Sequence, residues 1–72
     1  MGYQTIVDNI KAIISEKGLK QGYVAKKAGF TDKEMSDMLN ENRKLIRAEY
    51  LPPLAYALGV SITELFYHNK RG

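Results

Sequence analysis

The side chains best suited to chemistry in this chain lie in two adjacent stretches of opposite character. The stretch "NENRKLIRAE", residues 40–49, is rich in Asn, Lys and Arg. Amide and cationic groups of this kind suit contacts with the phosphate oxygens of a nucleic acid. The stretch before it, "TDKEMSD", carries Asp32, Glu34 and Asp37 beside a single cation, Lys33. Because carboxylates accept hydrogen bonds but repel phosphate, the two stretches together raise the question of whether this region faces a polyanion.

The chain has few residues that could bind a metal ion or carry out catalysis. The 72-residue chain has no cysteine, and its one histidine is His68, so the usual metal sites and catalytic constellations cannot be assembled. We therefore expect no enzyme, no cofactor and no small-molecule ligand. The apolar runs are far too short to span a membrane, and a chain without cysteine or a signal sequence fits the cytoplasm. The net charge of +3 and the pI of about 9.3 favour a polyanionic binding partner only mildly.

Short amphipathic helices must position these side chains. Apolar residues at i, i+4, i+7 and i+8 predict a first helix from Tyr3 to Lys17, and Gly18 is typical of the residue that ends a helix. A shorter helix follows from about Gln21 to Ala28. The apolar residues that we expect to be buried in these two helices are Ile6, Ile10, Ile13, Ile14, Val24, Ala25 and Ala28.

A tight turn and a third helix come next. Gly29 is expected to turn the chain, and Phe30 to fill the turn. Thr31 and Glu34 have the spacing of a capping box, in which each side chain bonds the other residue's amide at the start of a helix. The predicted buried face of this third helix consists of Met35, Met38 and Leu39.

Two more helices complete the predicted architecture. In the connection we expect Leu45 and Ile46 to be apolar anchors, and Pro52-Pro53 marks the first turn of a fourth helix that ends at Gly59. Ser61 and Glu64 predict a second capping box, and the segment from His68 onward is expected to fray. We find no strand pattern or repeat, so the chain is predicted to be one all-α domain, residues 1–72, of five short helices, with a helix-turn-helix at about 21–40.

Two motifs carry a resemblance to a known family. The segments "LKQGYVAKKAGF" and "LPPLAYALGVSITELF" resemble the Cro/repressor-type helix-turn-helix family, the DNA-binding domains of phage repressors and many small bacterial regulators. The match runs from Leu19 to Phe66. It implies a five-helix lambda-repressor-like fold and a sequence-specific transcriptional regulator of double-stranded DNA, most often a repressor of phage or mobile-element type. It also implies a homodimer on inverted half-sites, for which Phe66 and Tyr67 are our candidate contact residues.

The resemblance also implies roles for individual positions. The outward positions of the recognition helix, which address base edges, are matched by Asp32, Lys33, Ser36 and Asp37. The positions that contact phosphate are matched by Gln21, Asn40, Asn42, Arg43, Lys44 and Arg47. Gln21 in addition braces the recognition helix. Lys20 departs from the pattern, because it replaces the usual hydroxyl cap before that glutamine.

Several alternatives remain open at this point. Asp32 and Glu34 lie in a first helical turn, where acids complement the helix dipole whether or not they touch DNA. Asp37 either pairs with Lys33 one turn earlier or accepts a hydrogen bond from cytosine N4. For the whole chain, the rivals are a protein-interaction module that kept the fold without DNA binding and the DNA-binding antitoxin of a toxin–antitoxin pair.

Overall fold

Five α-helices, with short connections between them, form the part of the chain that the structure describes. The structure is a computed structural model that describes residues 3–41 and 45–68. In chain order the helices are α1 (Tyr3–Lys17), α2 (Gln21–Ala28), α3 (Asp32–Leu39), α4 (Leu51–Leu58) and α5 (Ile62–Tyr67). One turn of 3₁₀ helix, Ala48–Tyr50, leads into α4 and was not predicted. The all-helical fold and the five predicted helices are confirmed.

The turn between α2 and α3 forms as local sequence signals predict. Gly29 has φ +91°, and the amide of Phe30 donates to the carbonyl of Ala25 at 2.8 Å, which closes the end of α2. At the start of α3 the hydroxyl of Thr31 accepts from the amide of Glu34 at 3.0 Å, while the Glu34 carboxylate accepts from the amide of Thr31 at 2.9 Å. The capping box therefore places the first residue of α3, Asp32, three residues after Gly29.

The buried faces of the helices meet in one core. The predicted apolar stripes are largely confirmed, and Val7, which the i, i+4, i+7 pattern did not include, is also fully buried. The remaining buried apolar residues are Ile10, Ile13, Val24, Ala25, Met35, Met38, Leu39, Leu51, Leu54, Ala55, Ala57, Leu58 and Leu65. The expected anchor role of Leu45 is wrong, since this side chain is 70% exposed while Ile46 packs against the core. Outside a helix, two adjacent side chains need not share one side of the chain, and here only Ile46 reaches the core.

Polar contacts fasten α5 to α1. The buried side chain of Asn9 donates to the carbonyl of Leu65 at 2.7 Å. His68 lies within hydrogen-bonding distance of Glu64 and Glu16, at 3.1 and 3.0 Å, and its side chain is only 8% exposed. The second capping box is therefore only half formed: the Ser61 hydroxyl accepts from the Glu64 amide at 3.2 Å, but the Glu64 carboxylate contacts His68 instead. The expected fraying is wrong for His68, and residues 69–72 lie outside the described residues.

Candidate nucleic-acid interface

The outward side of α3 is the centre of the candidate interface. Its other side carries the buried residues of the helix, and this leaves four polar side chains on two consecutive turns facing away from the core. Asp32 and Lys33 are exposed, whereas Ser36 and Asp37 are half-buried. The four residues that the resemblance assigned to base edges therefore share one surface.

Lys33 and Asp37 form an ion pair on this surface. The Lys33 ammonium lies 3.1 Å from Oδ2 of Asp37, and the side chains are 78% and 20% exposed. The pairing left open by the sequence is thus present in the structure. It uses one of the three hydrogens of the ammonium group, so the other two remain to meet further acceptors.

The two acids in the first turn of α3 are placed differently from Asp37. The carboxylate of Glu34 accepts the Thr31 amide of the capping box, so it serves the start of the helix. The carboxylate of Asp32 lies beside Gly22 of α2. Its Oδ1 atom is 3.3 Å from the position that a Cβ atom on Gly22 would occupy. No sequence signal distinguishes Gly22, because the contact depends on how α2 and α3 cross.

A hydrogen bond joins the start of α2 to the end of α3. The side chain of Asn40, the residue that ends α3, donates to Oε1 of Gln21 at 3.2 Å. Two of the residues assigned to phosphate contacts are therefore neighbours in space, although 19 positions separate them. Lys20 caps α2 with an extended backbone, φ −93° and ψ 138°, but makes no side-chain bond to it. The absent cap agrees with the departure noted in the sequence.

The exposed cations around this surface differ in whether they have an interaction partner. Lys20, Lys26 and Arg47 are exposed and have no ion-pair partner among residues 3–41 and 45–68. The remaining residues assigned to phosphate contacts, Asn42, Arg43 and Lys44, lie outside the described residues.

Lys27, by contrast, lies between two tyrosine rings. Its ammonium is 5.5 Å from the ring centre of Tyr23 and 5.2 Å from that of Tyr56 in α4, and it donates to the Tyr23 hydroxyl at 3.2 Å. This hydrogen bond raises the pKa of Lys27, and the charge interaction with Tyr23 adds to the effect. The four-residue spacing of Tyr23 and Lys27 could have indicated half of this cluster, but the contribution of Tyr56 requires the tertiary structure.

Neither a metal site nor a membrane-spanning helix is present among the described residues. They contain no group of three or more His, Cys, Asp or Glu side chains placed to hold a metal ion. None of the described helices is both long and apolar enough to cross a membrane.

Comparisons with known proteins agree with this geometry. The sequence model of the Cro/C1-type helix-turn-helix DNA-binding domain matches residues 9–71. Among solved structures, the crystal structure of the clp gene regulator ClgR from C. glutamicum is similar to this chain, with a TM-score of 0.79. The two share 20% sequence identity over 90% of this chain and 83% of that chain, a likeness that shows the fold. No curated protein matches the sequence.

Proposed function

The chain belongs to the Cro/C1-type helix-turn-helix family of DNA-binding domains, and from this we propose that it is a sequence-specific transcriptional regulator of double-stranded DNA. We further propose that it represses transcription, as a regulator of the phage or mobile-element type. The observation that carries the proposal is the outward polar face of α3, a helix that follows the Gly29 turn and begins at the capping box of Thr31 and Glu34. A major groove admits a helix presented in this way.

We assign base reading to the middle of α3. Lys33 keeps two ammonium hydrogens for the acceptors O6 and N7 of guanine, and the Asp37 carboxylate suits the amino group of cytosine. The hydroxyl of Ser36, one residue before Asp37, can donate or accept. Asp32 belongs to the same surface, but its carboxylate lies beside Gly22 of α2, and we assign it no base contact.

We assign the phosphate contacts to the residues that flank α3. The bonded pair of Gln21 and Asn40 presents an amide group at the start of α2, and Arg47 supplies an exposed cation beyond α3. Asn42, Arg43 and Lys44 complete the proposed set. Phosphate contacts orient a protein on the duplex and supply most of its sequence-independent affinity.

Assembly and location complete the proposal. One recognition helix reads only a few base pairs, so we propose a homodimer on inverted half-sites about one helical turn, roughly 34 Å, apart. We place the protein in the cytoplasm and assign it no enzymatic activity, cofactor or small-molecule ligand. The similar fold of a protein described as a clp gene regulator supports a regulatory role.

Selection of bound sequences from a random duplex pool tests this function. We expect a common motif with dyad symmetry, and binding that weakens by orders of magnitude as salt rises over a modest range. Arg47→Ala should weaken binding to all duplexes alike and reduce the salt dependence. Lys11→Ala, which removes an exposed cation from α1, is the matched control and should change neither. An absence of duplex binding at low salt would favour a protein-interaction module instead.

A further inference from the structure

Asp32 is the first residue of α3, yet its carboxylate lies against the first turn of α2. Oδ1, Cγ and Oδ2 of Asp32 are 3.3, 3.8 and 3.9 Å from the Cβ position of Gly22. Gly22 lies within a helix, where alanine is intrinsically favoured over glycine. The missing Cβ therefore leaves room for the carboxylate to lie close beside α2.

The first turn of α2 attracts negative charge. Backbone amides in a first helical turn lack acceptors within the helix, and the helix dipole is positive at this end. The cap residue Lys20 supplies no side-chain acceptor, and α2 itself has no acid in its first turn. Asp32 brings a carboxylate to this place from the neighbouring helix.

The charge of Asp32 is also less neutralised than that of its neighbours. Glu34 accepts the hydrogen bond of the capping box, and Asp37 pairs with Lys33. Asp32 is exposed and takes part in no ion pair within the described residues. Its negative charge therefore acts on whatever approaches the start of α2.

We propose that Asp32 is an internal competitor of DNA phosphate and not a reader of bases. The inference rests on the proposed function, in which Gln21 at the same end of α2 contacts phosphate. Both anions are attracted to the start of α2 and repel each other, so the carboxylate must be displaced or tolerated whenever a phosphate docks. Because every duplex presents the same phosphates, Asp32 lowers affinity for all sequences by a similar factor.

The first test removes the charge and keeps the shape of the side chain. Asp32→Asn should tighten binding to a random-sequence duplex and to a selected site equally, by about threefold to tenfold at low salt, as expected for unit charges near a protein surface. The gain should shrink as salt rises, because the repulsion is screened. Glu34→Gln removes a charge from the same helical turn and keeps the capping box, so it is the matched control and should have little effect.

The second test moves the charge without removing it. In Gly22→Ala the new Cβ would lie 3.3 Å from the carboxylate oxygen, a tight contact that a small shift of the Asp32 side chain away from α2 would relieve. We expect a smaller gain in affinity than for Asp32→Asn. In the double variant, Gly22→Ala should add nothing to Asp32→Asn, since two substitutions that act on one contact are not additive.

The outcomes of these tests distinguish a failure of the competitor role of Asp32 from a failure of the proposed function. A change of preference at one base position in Asp32→Asn would make Asp32 a base reader and overturn the proposal. Unchanged or weaker binding of Asp32→Asn, while the parent binds duplex, would reject the competitor role alone. If the parent and all variants bind no duplex, both the proposed function and the competitor role of Asp32 are wrong.

Discussion

The three acids of α3 have different partners, and this decides what each can do at the interface. The Glu34 carboxylate bonds an amide at the start of its own helix, Asp37 bonds the ammonium of Lys33, and Asp32 contacts the neighbouring helix. An acidic recognition helix is therefore compatible with DNA, because two of the three charges are already engaged. The ion pair itself contributes only about 0.2–0.5 kcal/mol to the helix, so its main consequence is to hold two side chains together on the face that we propose to read bases.

Lys33→Ala should lower affinity for the selected site by about 1–3 kcal/mol, the value of a good base contact. Affinity for random duplex should fall much less, because only the phosphate attraction of one cation is lost. Fluorescence anisotropy with both duplexes measures the difference, with Glu34→Gln as the control. Equal losses on the two duplexes would mean that Lys33 contacts phosphate and reads no base.

Asp37→Asn should tighten binding to random duplex and flatten the preference at one base position. The asparagine no longer repels phosphate, and it can donate as well as accept, so cytosine loses its advantage there. Repeating the selection with the variant tests this directly. If the preference at every position is unchanged, Asp37 only holds Lys33 in place.

At the scale of helices, α2 and α3 differ in how well their N-termini are capped. Thr31 and Glu34 bond each other's amides at the start of α3, whereas the cap residue of α2, Lys20, offers no side-chain bond. In the proposed function, a lysine at this position would lie beside the phosphate contacted by Gln21. The start of α2 therefore lacks a stabilising side-chain cap at the place where we propose that phosphate binds.

Lys20→Ser should raise the free energy of unfolding by about 1 kcal/mol, because the extended backbone at this position already suits a hydroxyl cap. The same variant should bind duplex more weakly, since it removes an exposed cation next to Gln21. Lys20→Ala loses the cation without adding a cap, so denaturant unfolding of both variants isolates the cap. Equal stability of the two variants would show that no cap forms.

At the scale of the whole molecule, α5 is fixed to α1 from two sides and still exposes part of its surface. Asn9 and His68 provide the polar contacts, and Leu65 is fully buried. The next residues differ: Phe66 is half-buried, while Tyr67 is 71% exposed. A rigid helix with an exposed aromatic side chain is a suitable surface for the proposed dimer contact.

Tyr67→Glu should keep the fold and shift the protein from dimer toward monomer, because a carboxylate in a symmetric contact would face its own copy. Sedimentation over a range of concentrations, alone and with a selected duplex, measures the shift. Tyr56→Glu is the matched control, because Tyr56 is 68% exposed on α4, and it should not change assembly. If both variants assemble like the parent, the dimer contact lies elsewhere.

Much of the fold follows from signals that act within a few residues. The glycine turn at Gly29 and the box of Thr31 and Glu34 determine where α2 ends and α3 begins, because their hydrogen bonds join residues at most five positions apart. The apolar spacing predicted the buried side of α3, and therefore also its polar side. The resemblance to the family, and not this spacing, assigned Asp32, Lys33, Ser36 and Asp37 to the outward positions of the helix.

The contacts between α2 and α3 were decided only by the tertiary structure. Gln21 meets Asn40, and Asp32 meets Gly22, because α2 and α3 cross at a particular angle. The exposure of Leu45 likewise depends on which neighbouring side chain reaches the core. A hydrogen bond within one turn depends on the backbone conformation of a few adjacent residues, so the local sequence determines it. A contact between helices depends instead on how the whole core packs, and no short stretch of sequence carries that information.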